Sequence, residues 1–492
     1  MVEILLTAEE AYPRFEELVA GAQTDVSISM RIFDAATPLY GSTGNGETWA
    51  DLIAAKLAEG VRFDITLSDF DPVAKPELHR YAWECFERLK SAASACPARM
   101  QARVHLHPAQ AGMLQRLLFA PAALFHIHKE CERLNALAPD DRARQLEAMP
   151  EFAKLIRTGP QLSPRFWRFP PLHIASHHQK MAVIDGETLY IGGLDLNPRR
   201  FDTKTHDRPA PQTWHDVQVV CQGPIASAAR THINTFRSGA EGQDITAVPG
   251  LIRTLSQRRS FGVPRLSPKT VLNDIEQAHF DLIESARTFI YIETQFLRSS
   301  RIVTALCKAA HRGVSLIVIL PAAPEEAAFG DASGLDTRFG EHLQARAIGR
   351  LKRAFGGNMF LGSPVQPKAQ DGDRDTLEQA PIIYVHAKVI ISDAERAIVS
   401  SANLNGRSMR WDTEAGVVLK DKDARRLFQR CTQHWLSDAA PDGLERAQTW
   451  RDLASKNAKT EPNERPHFLV PHNPVPGQDK GHDLPGIPEE MV

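Results

Sequence analysis

The residues most able to do chemistry in this chain form one pattern that occurs twice, about two hundred residues apart. Each copy has a His, a Lys two positions later and an Asp five positions after the Lys: His178, Lys180 and Asp185, then His386, Lys388 and Asp393. A turn of small residues follows at the same distance, Gly192-Gly193 in the first copy and Ser400-Ser401 in the second. A single His-x-Lys triplet is common by chance, but two copies with the same spacing indicate a shared function.

Both copies have the sequence pattern of a β-hairpin. Side chains alternate across a strand, so the His and Lys of one copy point to the same face. The residues that follow, 181–184 and 389–391, are apolar and partly β-branched, which predicts strands. Asp185-Gly186 is a hairpin-turn signal, and the second copy turns through residues 393–396. For either copy alone, a half-buried strand with a hydrogen-bonded His and a Lys that reaches solvent is an equal alternative; the pair argues against it.

Two such hairpins facing one cavity would suit cleavage of a phosphodiester. Lysines and turn amides would hold the non-bridging oxygens and stabilise a five-coordinate phosphorus. One His would attack phosphorus while the other protonates the leaving oxygen and then activates water or an alcohol. Each imidazole needs an orienting carboxylate, and the candidates are Asp216 and Glu414, each roughly thirty residues beyond the His of its own copy. The lysines supply positive charge, so we expect no metal and no cofactor.

These residues resemble the two His-Lys-Asp motifs of the phospholipase D superfamily. The likeness covers roughly residues 20–440 and is carried by five blocks: 177–196 with its Gly-Gly-x-Asp-Leu turn, 200–202, Trp214-His215-Asp216-Val217, Tyr291 to Phe296, and 384–408. Thr294 stands where the superfamily usually has Asn, and Ser400 where it usually has Gly.

The resemblance implies an α/β fold of two similar lobes, each a mixed β-sheet flanked by helices, related by pseudo-twofold symmetry with the active site at their interface. It implies a phospholipase D that releases the headgroup of a glycerophospholipid through a phosphohistidine, with headgroup exchange when an alcohol replaces water. His178 would be the nucleophile and His386 the acid. The residues expected to bind phosphate or to form the turns beside it are Lys180, Lys388, Asp195, Asn403 and Asn405. Asp185 and Asp393 belong to the catalytic motifs but are expected to brace the hairpins.

Alternative functions stay open. A cardiolipin synthase-like phosphatidyltransferase would use the same intermediate, although such enzymes usually carry N-terminal membrane spans, which we do not find. A nuclease or other phosphodiesterase of the superfamily is disfavoured by the net charge of −2, from 58 basic and 60 acidic residues. Tyrosyl-DNA phosphodiesterases lack the motif Asp. A binding module without catalysis is disfavoured because both His and both Lys are present.

The length of 492 residues allows two large domains. We predict an N-terminal lobe at 1–245 with an insertion at about 108–170, a linker at 246–268, a C-terminal lobe at 269–450 and a Pro-rich extended tail at 451–492. Strand–helix–strand patterns within 26–67 and 289–320 support two similar halves. The apolar stripe at 113–125 is either a lipid-contacting lip or, as favoured here, a buried helix face. Residues 166–170 either line the substrate mouth or pack at a domain edge.

Composition predicts the environment of the protein. Its six cysteines form no CxxC pair or regular framework, which is typical of a reducing compartment. Residues 1–10 lack the features of a secretory signal, and no stretch reaches the ~20 apolar residues of a membrane span. We expect a protein made in the cytoplasm, exported only by a signal-independent route, that acts as a peripheral monomer on membrane phospholipid and binds no nucleic acid. His126 and His128 alternate as strand ligands would, but we expect them to face solvent.

Overall fold

The computed structural model describes residues 2–42, 44, 46–166, 170–259, 268–330, 335–372, 374–437, 440–473 and 488–491. In these residues the chain forms two large mixed β-sheets that pack face to face, with helices on their outer sides. The predicted α/β fold of two similar halves is therefore confirmed.

The first half contains a seven-stranded sheet in the order β1-β9-β8-β7-β2-β3-β4. The strands are β1 (Val2–Leu6), β2 (Asp25–Met30), β3 (Arg62–Ser68), β4 (Met100–His105), the short pair β5 (Ile156–Arg157) and β6 (Ser163–Pro164), β7 (Lys180–Ile184), β8 (Thr188–Gly192) and β9 (Val217–Gln222). The helices are α1 (Thr7–Ala20), α2 (Trp49–Glu59), α3 (Pro76–Ala92), α4 (Met113–Asn135), α5 (Pro139–Glu147), α6 (Pro150–Ala153) and α7 (Pro224–Glu241).

The second half contains a nine-stranded sheet in the order β11-β10-β19-β18-β17-β12-β13-β14-β20. Its strands, with the short pair β15 and β16, are β10 (Leu251–Gln257), β11 (Lys269–Asn273), β12 (Phe289–Thr294), β13 (Ser315–Ile319), β14 (Met359–Pro364), β15 (Thr376–Leu377), β16 (Ala380–Pro381), β17 (Lys388–Ser392), β18 (Arg396–Ser400), β19 (Glu414–Lys420) and β20 (Leu469–Pro471). Its helices are α8 (Asp274–Ser285), α9 (Ser300–Ala310), α10 (Glu325–Phe329), α11 (Leu335–Phe355), α12 (Gly406–Arg410), α13 (Asp421–Leu436) and α14 (Ala447–Lys459).

The two sheets repeat one topology. Strands β10-β19-β18-β17-β12-β13-β14 follow the order of the whole first sheet, and β11 and β20 add one strand at each edge. In each half a helix connects two parallel strands, α2 between β2 and β3 and α9 between β12 and β13. The predicted strand–helix–strand units are therefore present in both halves. The inner faces of both sheets share one apolar core that contains Val183, Val219, Tyr291 and Val399, so the two halves are held together by burial of apolar surface.

Each His-Lys-Asp motif lies on a hairpin, as predicted: β7-β8 in the first half and β17-β18 in the second. The turn residues Asp185 and Gly186 have φ of 53° and 71°, and Asp393 and Ala394 have φ of 53° and 54°. Positive φ at both central residues of a four-residue turn defines type I′, which favours Asp and Gly. Asp185-Gly186 therefore fits this turn type better than Asp393-Ala394, because Ala394 has a side chain and must adopt a positive φ.

Two boundary predictions need correction. Residues 251–257 of the predicted linker form β10, which pairs with β19 in the second sheet, while residues 260–267 lie outside the described part. The tail predicted from residue 451 is not extended at first, because α14 continues to Lys459 and β20 pairs with β14. A short strand near the edge of a sheet is stabilised by pairing with the existing sheet. The local sequence pattern therefore does not predict it. Residues 474–487 lie outside the described part.

Candidate active site

His178 is held by residues of the opposite half of the molecule. Its backbone N–H donates to the carbonyl oxygen of Thr413 at 2.8 Å. Its Nδ1 lies 3.0 Å from both carboxylate oxygens of Glu414 and 3.1 Å from the carbonyl oxygen of Ser401. Glu414 begins β19 and is fully buried. With Nδ1 occupied in this way, Nε2 is the nitrogen left for chemistry.

His386 is held in the same manner by the first half. Its N–H donates to the carbonyl oxygen of His215 at 2.8 Å, and its Nδ1 lies 2.6 Å from Asp216 Oδ2. Asp216 is buried and directly precedes β9. The ring of Trp214 packs against the imidazole with centroids 4.4 Å apart. A buried carboxylate on Nδ1 fixes both the orientation and the tautomer of an imidazole.

The pairing of histidines and carboxylates is therefore crossed. The sequence suggested Asp216 and Glu414 as orienting carboxylates without assigning either to one His; in the structure His178 contacts Glu414 and His386 contacts Asp216. The reason is topological: β9 and β19 begin at the interface, where each faces the hairpin of the other half. Spacing along the chain cannot reveal such a contact.

Both lysines are buried beside their histidines. Lys180 Nζ donates to the carbonyl oxygen of His178 at 2.6 Å, and Lys388 donates to that of His386. Burial lowers the pKa of Lys180, against the influence of Asp195 at 3.8 Å. Burial lowers the pKa of Lys388 to about 7. A bound phosphodiester anion would favour the charged form of both, because opposite charge stabilises a buried ammonium.

Burial disfavours the charged form of both imidazoles. Burial lowers the pKa of His178 well below its ordinary value, and the charges of Lys180 and Arg31 lower it further. Burial lowers the pKa of His386 in the same way, with contributions from Lys388 and Arg200. Burial also raises the pKa of both Asp216 and Glu414.

The turns after the hairpins differ in what they contact. A Cβ at Gly193 would lie 2.2 Å from Asp216 Oδ1, so this turn must be glycine for the carboxylate to approach. The equivalent Ser401 donates its hydroxyl to Glu414. Asn403 is buried and its Oδ1 has no hydrogen-bond partner among the described residues, which suits the predicted contact with a ligand. Asn405 Oδ1 instead accepts from Ser408 N–H at 2.9 Å and caps α12, so its carbonyl oxygen has a structural role.

Known proteins share this sequence pattern. Residues 280–435 match the family described as "Cardiolipin synthase, PLD-like domain". Phospholipase D1 of Saccharomyces cerevisiae is 24% identical over 361 residues, which cover 53% of this chain and 21% of the yeast protein. The major cardiolipin synthase ClsA of Bacillus subtilis is 23% identical over 249 residues, which cover 50% of this chain and 45% of that protein. The family match and these relatives support placing the chain in the phospholipase D superfamily.

Within the superfamily, this chain matches less than half the length of the two curated relatives. The crystal structure of phosphatidylserine synthase from Haemophilus influenzae Rd KW20 has a TM-score of 0.47 and 14% identity, with 100% of this chain and 91% of that chain covered. A TM-score this low supports no statement about the reaction.

The Asp of each superfamily motif lies at the opposite end of its hairpin from the imidazole. The Asp185 carboxylate accepts hydrogen bonds from the N–H groups of Gln23, Thr24 and Asp25. Asp393 accepts the equivalent bonds from Arg287, Thr288 and Phe289. Four strand residues at ~3.3 Å each lie between each of these carboxylates and the lysine of the same motif. This geometry favours the bracing role over a place among the catalytic residues.

We expect Asp185→Ala to lower the free energy of unfolding by about 2 kcal/mol, because several N–H groups lose their acceptor. Turnover should stay within about threefold of wild type, since the imidazoles keep their contacts. Urea unfolding and headgroup-release assays measure the two quantities, with the exposed Asp140→Ala as control. A large loss of turnover without a change in stability would give Asp185 a catalytic role instead.

Two half-buried arginines were missed as site residues. Arg31 directly follows β2, and its charge lowers the pKa of His178. Arg200 lies over the ring of Trp214, 3.5 Å from its centroid, and its charge lowers the pKa of His386. The Nε of each has no hydrogen-bond partner within the described ranges. The block at 200–202 was a usable signal for Arg200, whereas nothing near Arg31 distinguished it from a surface residue.

The insertion carries an exposed apolar face. Helix α4 exposes one row of large side chains, to 54% for Met113, 58% for Leu114, 69% for Leu118 and 64% for Phe125. The favoured interpretation of a buried face is therefore wrong for this row; the inner face of α4 packs through Ile127 and other residues. In the part of the chain that the structure describes, no helix has the length and apolarity to cross a membrane.

Two further expectations concern this region. His126 and His128 lie on α4 rather than on a strand, and both face solvent as expected. The predicted mouth segment falls mostly on residues 167–169, outside the described residues, while the neighbouring Phe166 is 67% exposed.

Proposed function

We propose that this protein is a phospholipase D that hydrolyses the phosphate–headgroup bond of a glycerophospholipid to phosphatidic acid and a free alcohol. The observation that carries the proposal is the crossed arrangement of His178 and His386, each with Nδ1 on a buried carboxylate of the other half and with a buried lysine beside it. Such a site offers two Nε2 atoms and two cations to one phosphodiester, which is what a double displacement at phosphorus needs.

The first displacement forms a phosphohistidine. The Nε2 lone pair of His178 attacks phosphorus, the bond from phosphorus to the headgroup oxygen breaks, and protonated His386 gives its Nε2 proton to that oxygen. In the second displacement, neutral His386 takes a proton from water, the water oxygen attacks phosphorus, and the bond to His178 breaks. Lys180 and Lys388 stabilise the charge on the non-bridging oxygens in both steps.

Contacts at Nδ1 support the assignment of roles. The Nδ1 of His386 lies 2.6 Å from a single oxygen of Asp216, and a short bond of this kind stabilises an imidazolium. The Nδ1 of His178 shares longer contacts of 3.0 and 3.1 Å with Glu414 and Ser401. Burial is the main cause that raises the pKa of Glu414, and the negative charge of nearby Asp412 raises it further. His386 is therefore the better acid, and His178 the imidazole better kept neutral as a nucleophile.

The proposal is tested by giving the purified protein mixed phospholipids in one reaction and plasmid DNA in another. We expect release of choline or ethanolamine with phosphatidic acid, and phosphatidylethanol when ethanol is added. Nicked DNA with no lipid product would refute the proposal and make the protein a nuclease.

A second candidate is phosphatidyl transfer of the cardiolipin synthase kind, which the family match over residues 280–435 favours. It would use the same phosphohistidine and differ only in the acceptor, a lipid hydroxyl instead of water. Vesicles that contain phosphatidylglycerol separate the two reactions, because transfer gives cardiolipin and free glycerol, whereas hydrolysis gives phosphatidic acid.

We also propose that the apolar row of α4 contacts the membrane that holds the substrate. Leu114→Glu with Leu118→Glu should weaken vesicle binding by roughly tenfold to hundredfold, because two apolar side chains no longer enter the lipid. Turnover of a monomeric short-chain phospholipid should change by less than about twofold.

The matched control is Lys129→Glu, which changes the net charge by the same amount on the exposed side of the same helix. Cosedimentation with vesicles and turnover of both substrate forms measure the effect. Equal vesicle binding by the double variant and wild type would contradict a lipid contact at this row.

A further inference from the structure

Three histidines converge at the interface between the halves. His206 and His215 come from the segment between β8 and β9, and His434 comes from α13 of the second half. One ring nitrogen from each lies within 4.8 Å of the other two. His206 and His215 are fully buried and His434 is partly buried. Their side chains are not part of the phosphodiester site described above.

Carboxylates fix the tautomers of two of these rings. His206 Nδ1 lies 2.6 Å from Asp202 Oδ2, and His215 Nε2 lies 2.8 Å from Glu293 Oε2. Each ring can therefore donate an N–H to a carboxylate, which leaves its other nitrogen, His206 Nε2 or His215 Nδ1, with a lone pair for a ligand. A carboxylate on the far nitrogen of an imidazole is the usual second contact of a metal-binding histidine.

One ring nitrogen of His215 is not satisfied by any hydrogen bond within the described residues. His215 Nδ1 has no hydrogen-bond partner in the described part of the chain, although the residue is 0% exposed. A buried polar atom without a partner is costly and needs an explanation. His206 Nε2 and His434 Nε2 lie 2.9 Å apart. Two ligands at 2.0–2.1 Å from one tetrahedral ion lie about 3.3 Å apart. These two nitrogens would therefore move slightly apart to bind an ion, and a nitrogen closer to the 4.8 Å limit of the cluster would move inward.

We propose that His206, His215 and His434 bind a structural Zn²⁺ ion, with Asp202 and Glu293 orienting two of the rings. Three imidazoles with a water molecule make a tetrahedral set that suits zinc, while the absence of a carboxylate ligand disfavours magnesium and calcium.

The proposed ion would link the two halves of the molecule close to His386 and Asp216. The carbonyl oxygen of His215 accepts the N–H of His386, and the next residue is Asp216. Fixing the His215 ring to α13 would therefore hold Asp216 against His386. This makes the three histidines positioning residues, and the ion takes no part in the reaction. The competing explanation is a metal-free hydrogen-bond chain through His434, His206 and Asp202.

Metal analysis separates the two explanations without any activity assay. Wild-type protein, stripped of metal and then titrated with Zn²⁺ alone, should bind about one equivalent. At a free zinc concentration a hundred times the Kd, its Tm should rise by about 2–3 °C. His434→Gln should lose this equivalent and the Tm shift, while the exposed His128→Gln on α4 should keep both.

X-ray absorption of zinc-loaded wild type gives a readout that needs no variant to fold. Three imidazole scatterers at ~2.0–2.1 Å are expected. Failure of wild type to bind zinc, full retention of zinc by a folded His434→Gln, or sulfur scatterers in place of imidazole would each overturn the proposal.

Discussion

His178→Ala should lower kcat for headgroup release by roughly four to six orders of magnitude, because it removes the nucleophile of a two-step reaction. His386→Ala should cost about as much with a natural headgroup, because that headgroup leaves as an alkoxide and needs a proton. The two variants are therefore indistinguishable with natural lipids. They separate when the headgroup is replaced by p-nitrophenol, which leaves without a proton.

With the p-nitrophenyl substrate, His386→Ala should release one rapid equivalent of p-nitrophenol and then stop, because no base activates water. The protein should then carry a phosphate group that is stable to base and labile to acid. His178→Ala should give neither burst nor adduct. If the burst and the adduct appear in His178→Ala and not in His386→Ala, the two roles are reversed.

Asp216→Asn should lower kcat by about 10³- to 10⁴-fold while the fold stays intact, because an amide favours the wrong tautomer of His386 and cannot stabilise its charged form. Burial of Asp216 keeps water from replacing the lost acceptor. Glu414→Gln should act on His178 in the same direction. Circular dichroism and steady-state rates with phospholipid measure the effect, and Asp140→Asn on the exposed start of α5 is the control.

The burst experiment also tests the crossed pairing. Asp216→Asn should impair the second step more than the first when p-nitrophenol is the leaving group, since only His386 loses its partner. Glu414→Gln should slow formation of the adduct instead. The opposite pattern would mean that each carboxylate serves the His of its own half.

Local pattern was enough to predict the hairpins and the two similar halves. His-x-Lys followed by apolar residues and Asp-Gly specifies a strand and a turn within ten residues, and β7-β8 forms there. The strand–helix–strand units follow from periods of two and 3.6 residues, which neighbouring residues determine. Those elements depend on contacts between residues that are close together in the sequence.

The features that sequence did not predict depend on contacts across the interface. Glu414 lies 236 residues from His178, and His434 lies 228 residues from His206. The spacing of residues along a single sequence does not reveal contacts between residues so far apart. The apolar row of α4 was misjudged for a different reason: a helix periodicity shows that one face differs from the other, but it does not show which of them meets protein.

Because each imidazole takes its carboxylate from the other half, the two lobes cannot part without disabling both histidines together. A hinge motion that separated the two halves to admit a lipid would also expose the shared apolar core that contains Val183 and Val399. Substrate must therefore reach the two histidines through loops at the rim of the interface, and turnover should be insensitive to a covalent cross-link between the lobes placed away from that rim.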